Sequence, residues 1–248
     1  MGFMAKTDLA FDMLYRDIVS GTHRPGQPLR ISSLSALYGV SATPLREALS
    51  RLEAKQLVVG SANRGWRVAP VSLAEFEDLQ IARLEIERSL LRDAMRHGDV
   101  EWESGIVGAH HRLAQTTPPV GEDDRVEVRQ VWIEAHDAFH LAILSAARSG
   151  WLKTFYAQVA EQLQRHHQAL LFHTGAAVGP DRRAETDEML RTALSIPRHT
   201  ELMEVVLSRD VPAAIRALTA HVGLTRAIYR SFIGAHLENQ DQATGERP

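Results

Sequence analysis

The chain has 248 residues, 44% of them hydrophobic and 24% charged, enough apolar material for one large domain or two modest ones and too much for a disordered polymer. It contains no cysteine, which excludes a disulfide framework and a thiolate metal site, so any metal must be held by His, Asp or Glu. No segment approaches the roughly 18 apolar residues of a membrane span, and the first twenty residues lack the apolar run of a secretory signal, so a cytoplasmic protein with no membrane partner is expected. The net charge of −3 is unevenly spread: residues 1–70 carry nine basic and five acidic side chains, a balance of +4 that leaves −7 for the remainder. A basic end attached to an acidic body points to polyanion binding at one end and another task at the other.

In chain order, Leu9, Met13, Leu14 and Ile18 keep a helical period that stops at Gly21, and the polar turn THRPGQP follows. A second short helix is expected from Ile31 to Leu37. A third opens in SATP, where Ser41 or Thr43 can cap and Pro44 sits in the first turn. It continues through LREALSRLEAKQ, with Leu45, Ala48, Leu49 and Leu52 as its buried stripe. Leu57-Val58-Val59 and Trp66-Arg67-Val68-Ala69 flank the polar tip GSANRG and predict a hairpin.

Three helices and a two-stranded wing make a winged helix-turn-helix, whose recognition helix enters the major groove of double-stranded DNA. Arg46 near the start of that helix can contact guanine with both arms of its guanidinium. Arg30, Ser41, Thr43, Arg51 and Lys55 are candidate DNA contacts on the same domain, the last three suited to phosphates, and Arg64 at the wing tip can enter a minor groove. The run PGQPLRISSLSALYGVSATPLREALSRLEAKQLV, followed by NRGWRV, closely resembles the signature of GntR-type repressors over roughly residues 10–70. That family usually carries Arg where this chain has Ala42, so the resemblance implies one missing DNA contact.

Beyond Pro70, Ser72 and Glu75 have the spacing of a capping box, and Leu79, Ala82, Ile86 and Leu90 mark the helix that follows. Further helices are expected over 101–116, 124–149, 151–173, 183–195, 198–208 and 211–235, the last opened by Asp210 and Pro212. No strand pattern competes, which predicts a mainly α protein: the winged domain over 1–70, an antiparallel all-α bundle over 71–240, and a disordered tail over 241–248. The segment Arg83-Leu84-Glu85-Ile86-Glu87, the Phe139-His140-Leu141-Ala142-Ile143 run, and the late His199 and His221 resemble the FCD ligand-binding domain of the FadR-like branch of those repressors.

His136 and His140, at i and i+4 in HDAFH, lie on one helical face and can converge on an ion, but two ligands are too few. The resemblance supplies the others: metal-binding FCD domains use Asp-x-x-x-His on one helix and a His from each of two later helices, which here fall on His136, His140, His199 and His221. His136 replaces the usual Asp, and Asp137 points about 100° away on an ideal helix. Imidazole ligands suit Zn²⁺ or Ni²⁺ rather than Mg²⁺ or Ca²⁺. Taken one at a time, these are ordinary helix histidines; as a set in family order they imply a metal centre.

The open coordination position of such a metal suits a carboxylate from a small metabolite, with Arg83 as the anchor that the resemblance implies and Arg165 as a further candidate anchor. Arg83 can equally be a salt bridge to Glu87 at i+4. The whole reads as a homodimeric, non-enzymatic transcription factor on a palindromic operator, since two recognition helices on one face of DNA require two-fold symmetry. The His-x-x-x-His variant resembles the branch of carbon-starvation and glutarate-utilisation regulators, which suggests a dicarboxylate. The alternatives are a ligand-independent DNA-binding protein with a structural metal, and a metal-dependent hydrolase fused to a DNA-binding domain.

Overall fold

A computed structural model describes residues 6–61, 65–123, 125–167 and 180–244. The chain divides into two compact units, one of residues 1–76 with 160–174 and one of 77–159 with 175–248.

In the first unit, α1 (Lys6–Val19), α2 (Ile31–Tyr38) and α3 (Ala42–Ala54) form where the apolar periods predict them. Their stripes close one core of Ala10, Leu14, Ile18, Leu34, Leu45, Ala48, Leu49 and Leu52. Gly39 ends α2 at φ 66°, the left-handed conformation that glycine adopts at no steric cost, and its N–H bonds back to Ser35 O. Ser41 takes the N-cap position of α3, with extended backbone and no side-chain capping bond.

The wing has three strands rather than the expected two. β2 (Val58–Ser61) and β3 (Gly65–Val68) form the hairpin, and β1 (Pro28–Leu29) pairs antiparallel with the other side of β3, in the order β1-β3-β2. Two residues show no alternation for a pattern to catch, and Pro28 suits an edge strand because it has no N–H to donate.

Two closed polar networks brace this unit. Tyr38 Oη donates to Asp17 Oδ2 at 2.5 Å, leaving its lone pair to accept from His23 Nε2 at 2.8 Å. Burial, then the bond to Asp17, holds the Tyr38 hydroxyl well above its ordinary pKa, while burial holds His23 below its own against the pull of Asp17. The second network lies at the end of α7 (Gly150–His167), whose residues from 160 onward belong with this unit. Arg165, 2% exposed, donates to Ala69 O at 2.8 Å and Pro70 O at 2.7 Å, and pairs with Glu75 at 3.4 Å. Gln162 Nε2 donates to Lys55 O at 2.7 Å.

Among its described residues the second unit has no strand and is built of α4 (Leu73–His97), α5 (Val100–Ala114), α6 (Val126–Leu144), the start of α7, α8 (Pro180–Ala193), α9 (Ile196–Leu207) and α10 (Val211–Thr244), joined by short connections. α5 packs on α6 and α9, and α10 packs on α8 and α9. Ser72 Oγ accepts from Glu75 N at 3.1 Å, which is half of the expected capping box. The other half is missing because the Glu75 carboxylate turns to Arg165 and His166. Asp210 caps α10 by accepting from Ala213 N at 2.9 Å. That helix runs past 235 to Thr244, so the first part of the segment expected as a disordered tail is helical; residues 245–248 lie outside the described ones. At the turn between α4 and α5 only glycine fits, since a Cβ on Gly98 would fall 2.2 Å from the Trp102 ring. Among the described residues, no helix is long and apolar enough to cross a membrane.

Candidate metal centre

Three helices of the second unit carry four histidines to one point. His136 and His140 come from one face of α6, His199 from α9 and His221 from α10, and one ring nitrogen of each lies within 4.8 Å of all the others. His136 Nε2 and His140 Nε2 stand 3.1 Å apart. Zn–N bonds of about 2.0–2.1 Å set neighbouring nitrogens of a tetrahedron about 3.3 Å apart, so this pair already has the spacing of two ligands.

The orientation of the rings fits a metal as well as their proximity does. His199 Nδ1 donates to Ser195 O at 2.8 Å, which fixes the proton there and leaves Nε2 as a lone pair; that nitrogen is buried without a hydrogen-bond partner. His136 Nδ1 lies 3.4 Å from Asp137 Oδ1, so the acidic neighbour that points away from the cluster holds the outer nitrogen of its ligand candidate. A ring fixed through its outer nitrogen by a carbonyl or carboxylate is the usual support of a metal-ligating histidine. Burial, and then the charges of neighbouring rings, holds His140 and His221 well below the ordinary histidine range, and burial with His136 brings His199 down to about 4. At neutral pH these three are uncharged and keep their lone pairs. Four imidazoles, with no carboxylate among them, suit Zn²⁺ or Ni²⁺.

Arg83 forms the i+4 salt bridge to Glu87 at 2.9 Å, with Glu87 1% exposed. Burial works against the charge of Arg83, yet Glu87 and then Tyr156 and Asp137 outweigh it and leave its pKa raised. The charge of Arg83 in turn contributes to lowering His140 and His221. Arg165 belongs to the first unit. Its guanidinium is committed to Ala69 O, Pro70 O, Gln162 and Glu75 within the first unit, so the structure replaces its expected effector contact with a bracing role. Its position on a helix face held no sign of Ala69 O, Pro70 O or Glu75, which are distant in sequence.

Two participants escaped the sequence reading. Trp132, one turn before His136 on α6, stacks on that ring at 4.5 Å and 20°; the i−4 spacing was the signal available. Tyr156 on α7 is buried, and burial followed by the Glu87 charge keeps its hydroxyl protonated. Nothing in its local pattern marks it, because its partners come from other helices. His110 lies outside the cluster and bonds Thr200 Oγ1 at 2.9 Å.

Of the DNA-contact candidates, Arg30, Ser41, Thr43 and Arg46 are exposed, the last three at the start of α3. Arg51 is paired with Asp8 at 2.8 Å and lies over the Phe11 ring, and Lys55 is paired with Glu161 at 3.1 Å. The expected phosphate contacts are thus partly engaged within the chain. Arg64 lies outside the described residues.

Comparison with known proteins finds two family matches on separate stretches of the chain. Residues 6–68 match the family described as bacterial regulatory proteins, gntR family, and residues 78–224 match the FCD domain. BphR of Paraburkholderia xenovorans, an HTH-type transcriptional regulator, is 31% identical over 91% of this chain and 85% of its own length. The HTH-type transcriptional repressor GlaR of Escherichia coli is 31% identical over 84% of this chain and 89% of its own. Among solved structures, E. coli McbR/YncC shares the fold with a TM-score of 0.66 at 21% identity, covering 92% of this chain and 98% of that one. A winged unit and an all-helical unit, each matched by its own family and both together by full-length relatives, show that the chain belongs to the GntR family of bacterial transcriptional regulators and carries an FCD domain.

Proposed function

We propose that this regulator is a repressor that binds a palindromic operator as a homodimer and changes its DNA affinity when a small carboxylate binds a metal held by His136, His140, His199 and His221. The observation that carries this reading is the convergence of four imidazoles from three helices, with the buried Nε2 of His199 unpaired. Repression is supported by the printed role of GlaR. A regulator rather than a hydrolase is supported by the relatives, and Glu87, one candidate base, is tied to Arg83.

When bound, the metal supplies a Lewis-acidic point for a carboxylate oxygen. The residues of the chain do the rest: Ser195 O and Asp137 hold the outer nitrogens of their histidines, Trp132 covers one face of His136, and Arg83 adds a fixed positive charge. An effector changes DNA affinity only by its differential affinity for two arrangements of the protein.

Metal content per subunit of tag-free protein is the first measurement. Near-stoichiometric Zn or Ni in wild type, lost in both His140→Ala and His199→Ala, is expected; metal-free wild type after incubation with either ion overturns the metal centre. The deep burial of His140 and His199 is the observation that favours the second reading, a purely structural metal. Operator affinity unmoved by a panel of short carboxylates, in protein that retains its metal, decides for that alternative.

A further inference from the structure

The last turns of α7 hold one candidate DNA contact at both of its ends. Lys55 is the C-cap residue of α3, so its carbonyl has no partner within that helix; Gln162 Nε2 supplies one at 2.7 Å. At the far end of the same residue, Lys55 Nζ donates to both carboxylate oxygens of Glu161, at 3.1 and 3.4 Å. Adjacent residues of one helix thus fix the backbone and the ammonium of a single lysine, 106 positions before Glu161 in the chain.

The carboxylate is itself held. Its side chain is 11% exposed against 43% for Lys55, and the Lys55 ammonium lies 5.9 Å from the centre of the Tyr15 ring. Burial, then the charge of Glu161 and a hydrogen bond to it, push the Tyr15 hydroxyl up to about 12, so Tyr15 stays protonated as a donor to that carboxylate. All of these residues belong to the winged unit, to which α7 contributes from residue 160 onward. Arg51 is paired differently: it and Asp8 are about half exposed on both sides, and a phosphate can displace such a pair at little cost. Glu161 offers the Lys55 ammonium what a phosphate would, an anionic oxygen at hydrogen-bond distance, and offers it from a sheltered position.

Resting on the reading of Lys55 as a phosphate contact, we propose that Glu161 is an autoinhibitory residue: its carboxylate stands in for a DNA phosphate on Lys55 and lowers the affinity of the winged unit for double-stranded DNA. The pair adds little to folding stability, since one partner is nearly half exposed. Its consequence is for binding. While Lys55 is paired with Glu161 it neutralises no phosphate, so each bound subunit releases about one counterion fewer from the duplex.

The test is a fluorescence-anisotropy titration of full-length protein onto a labelled duplex of arbitrary sequence, about 30 base pairs long, over about 50–200 mM KCl, because phosphate contacts act on any sequence. Wild type, Glu161→Gln, Lys55→Ala and the double variant form a thermodynamic cycle. Glu161→Gln removes the charge and keeps an oxygen to accept from Tyr15. It is expected to bind more tightly than wild type at the low-salt end, with a plot of log affinity against log salt steeper by about 0.9 per bound subunit; the gain then shrinks about threefold per subunit across that salt range. Lys55→Ala should erase the gain in the double variant and cost wild type much less than it costs Glu161→Gln. Unchanged affinity and slope in Glu161→Gln overturn the inhibition, as does a gain that survives Lys55→Ala, which is a general effect of removing an acid. Weaker binding by Glu161→Gln together with a lowered melting temperature assigns Glu161 a bracing role and overturns it too. If Lys55→Ala weakens binding equally in both backgrounds, Lys55 meets phosphate unhindered: the contact stands and the inhibition falls. If Lys55→Ala changes nothing in either background, Lys55 is not a DNA contact, and this inference falls with that reading.

Discussion

The two units treat buried polar groups in opposite ways. In the winged unit, Asp17, Tyr38 and His23 close on one another, and Arg165 ends on two backbone carbonyls, Gln162 and Glu75, although Trp66 Nε1 is buried without a partner. In the helical unit, Gln80, Trp132 Nε1, Glu87 Oε2 and His199 Nε2 are buried and unmatched. An unmatched buried polar atom costs about 1–3 kcal/mol, so the first interior is built for stability and the second retains a cost that a bound ion and ligand can relieve. Under the proposed function, the part of the chain that presents fixed groups to DNA is closed and the part that responds to a ligand is open.

The largest way to break this contrast is Arg165→Ala. It leaves the carbonyls of Ala69 and Pro70 without their donor, and a loss of about 3–5 kcal/mol in denaturant unfolding is expected. A loss below about 1 kcal/mol would mean that the polar brace is ornamental.

Acid should strike the helical unit next. The pKa of His199 in the folded protein, about 4, is below the ordinary 6.5, so the unfolded chain binds more protons between those values. Stability of metal-free protein is then full above pH 6.5 and falls as the pH drops toward 4, by on the order of 3 kcal/mol from this residue. His140 and His221 shift in the same direction and steepen the fall. Thermal melts against pH should show this slope, and His199→Gln should flatten it.

Tyr38→Phe sharpens the other side of the comparison, since it strands Asp17 and His23. Its expected cost is about 1–3 kcal/mol with the fold retained by circular dichroism. Smallest is Arg51→Ala. The Arg51–Asp8 pair is about half exposed on both sides, and its removal should change stability by less than about 1 kcal/mol while lowering the salt dependence of operator binding. If stability falls more than operator binding does, Arg51 is a bracing residue and not a DNA contact.

The three helices of the winged unit were legible because Leu14, Leu45, Leu49 and Leu52 recur at helical spacing and Gly39 and Pro44 mark ends. The strand at Pro28–Leu29 was not, because its order comes from hydrogen bonds to β3, as in Gly26 N to Val68 O. Within the site, His136 and His140 announced themselves by local spacing, whereas His199 and His221 entered only through resemblance to a family. Tyr156 was missed, and the Ala69 and Pro70 partners of Arg165 were not foreseen, because those surroundings are made by elements far away in sequence.

The sequence by itself determined a basic winged helix-turn-helix joined to an acidic helical domain, and a pair of imidazoles on one helical face, because these depend on period, end signals and charge within short stretches. Only the tertiary structure decided that four histidines share one point and that Arg165 braces the segment following the wing. Those are contacts across long separations, selected by how apolar faces pack and by which buried polar groups find a partner once they do.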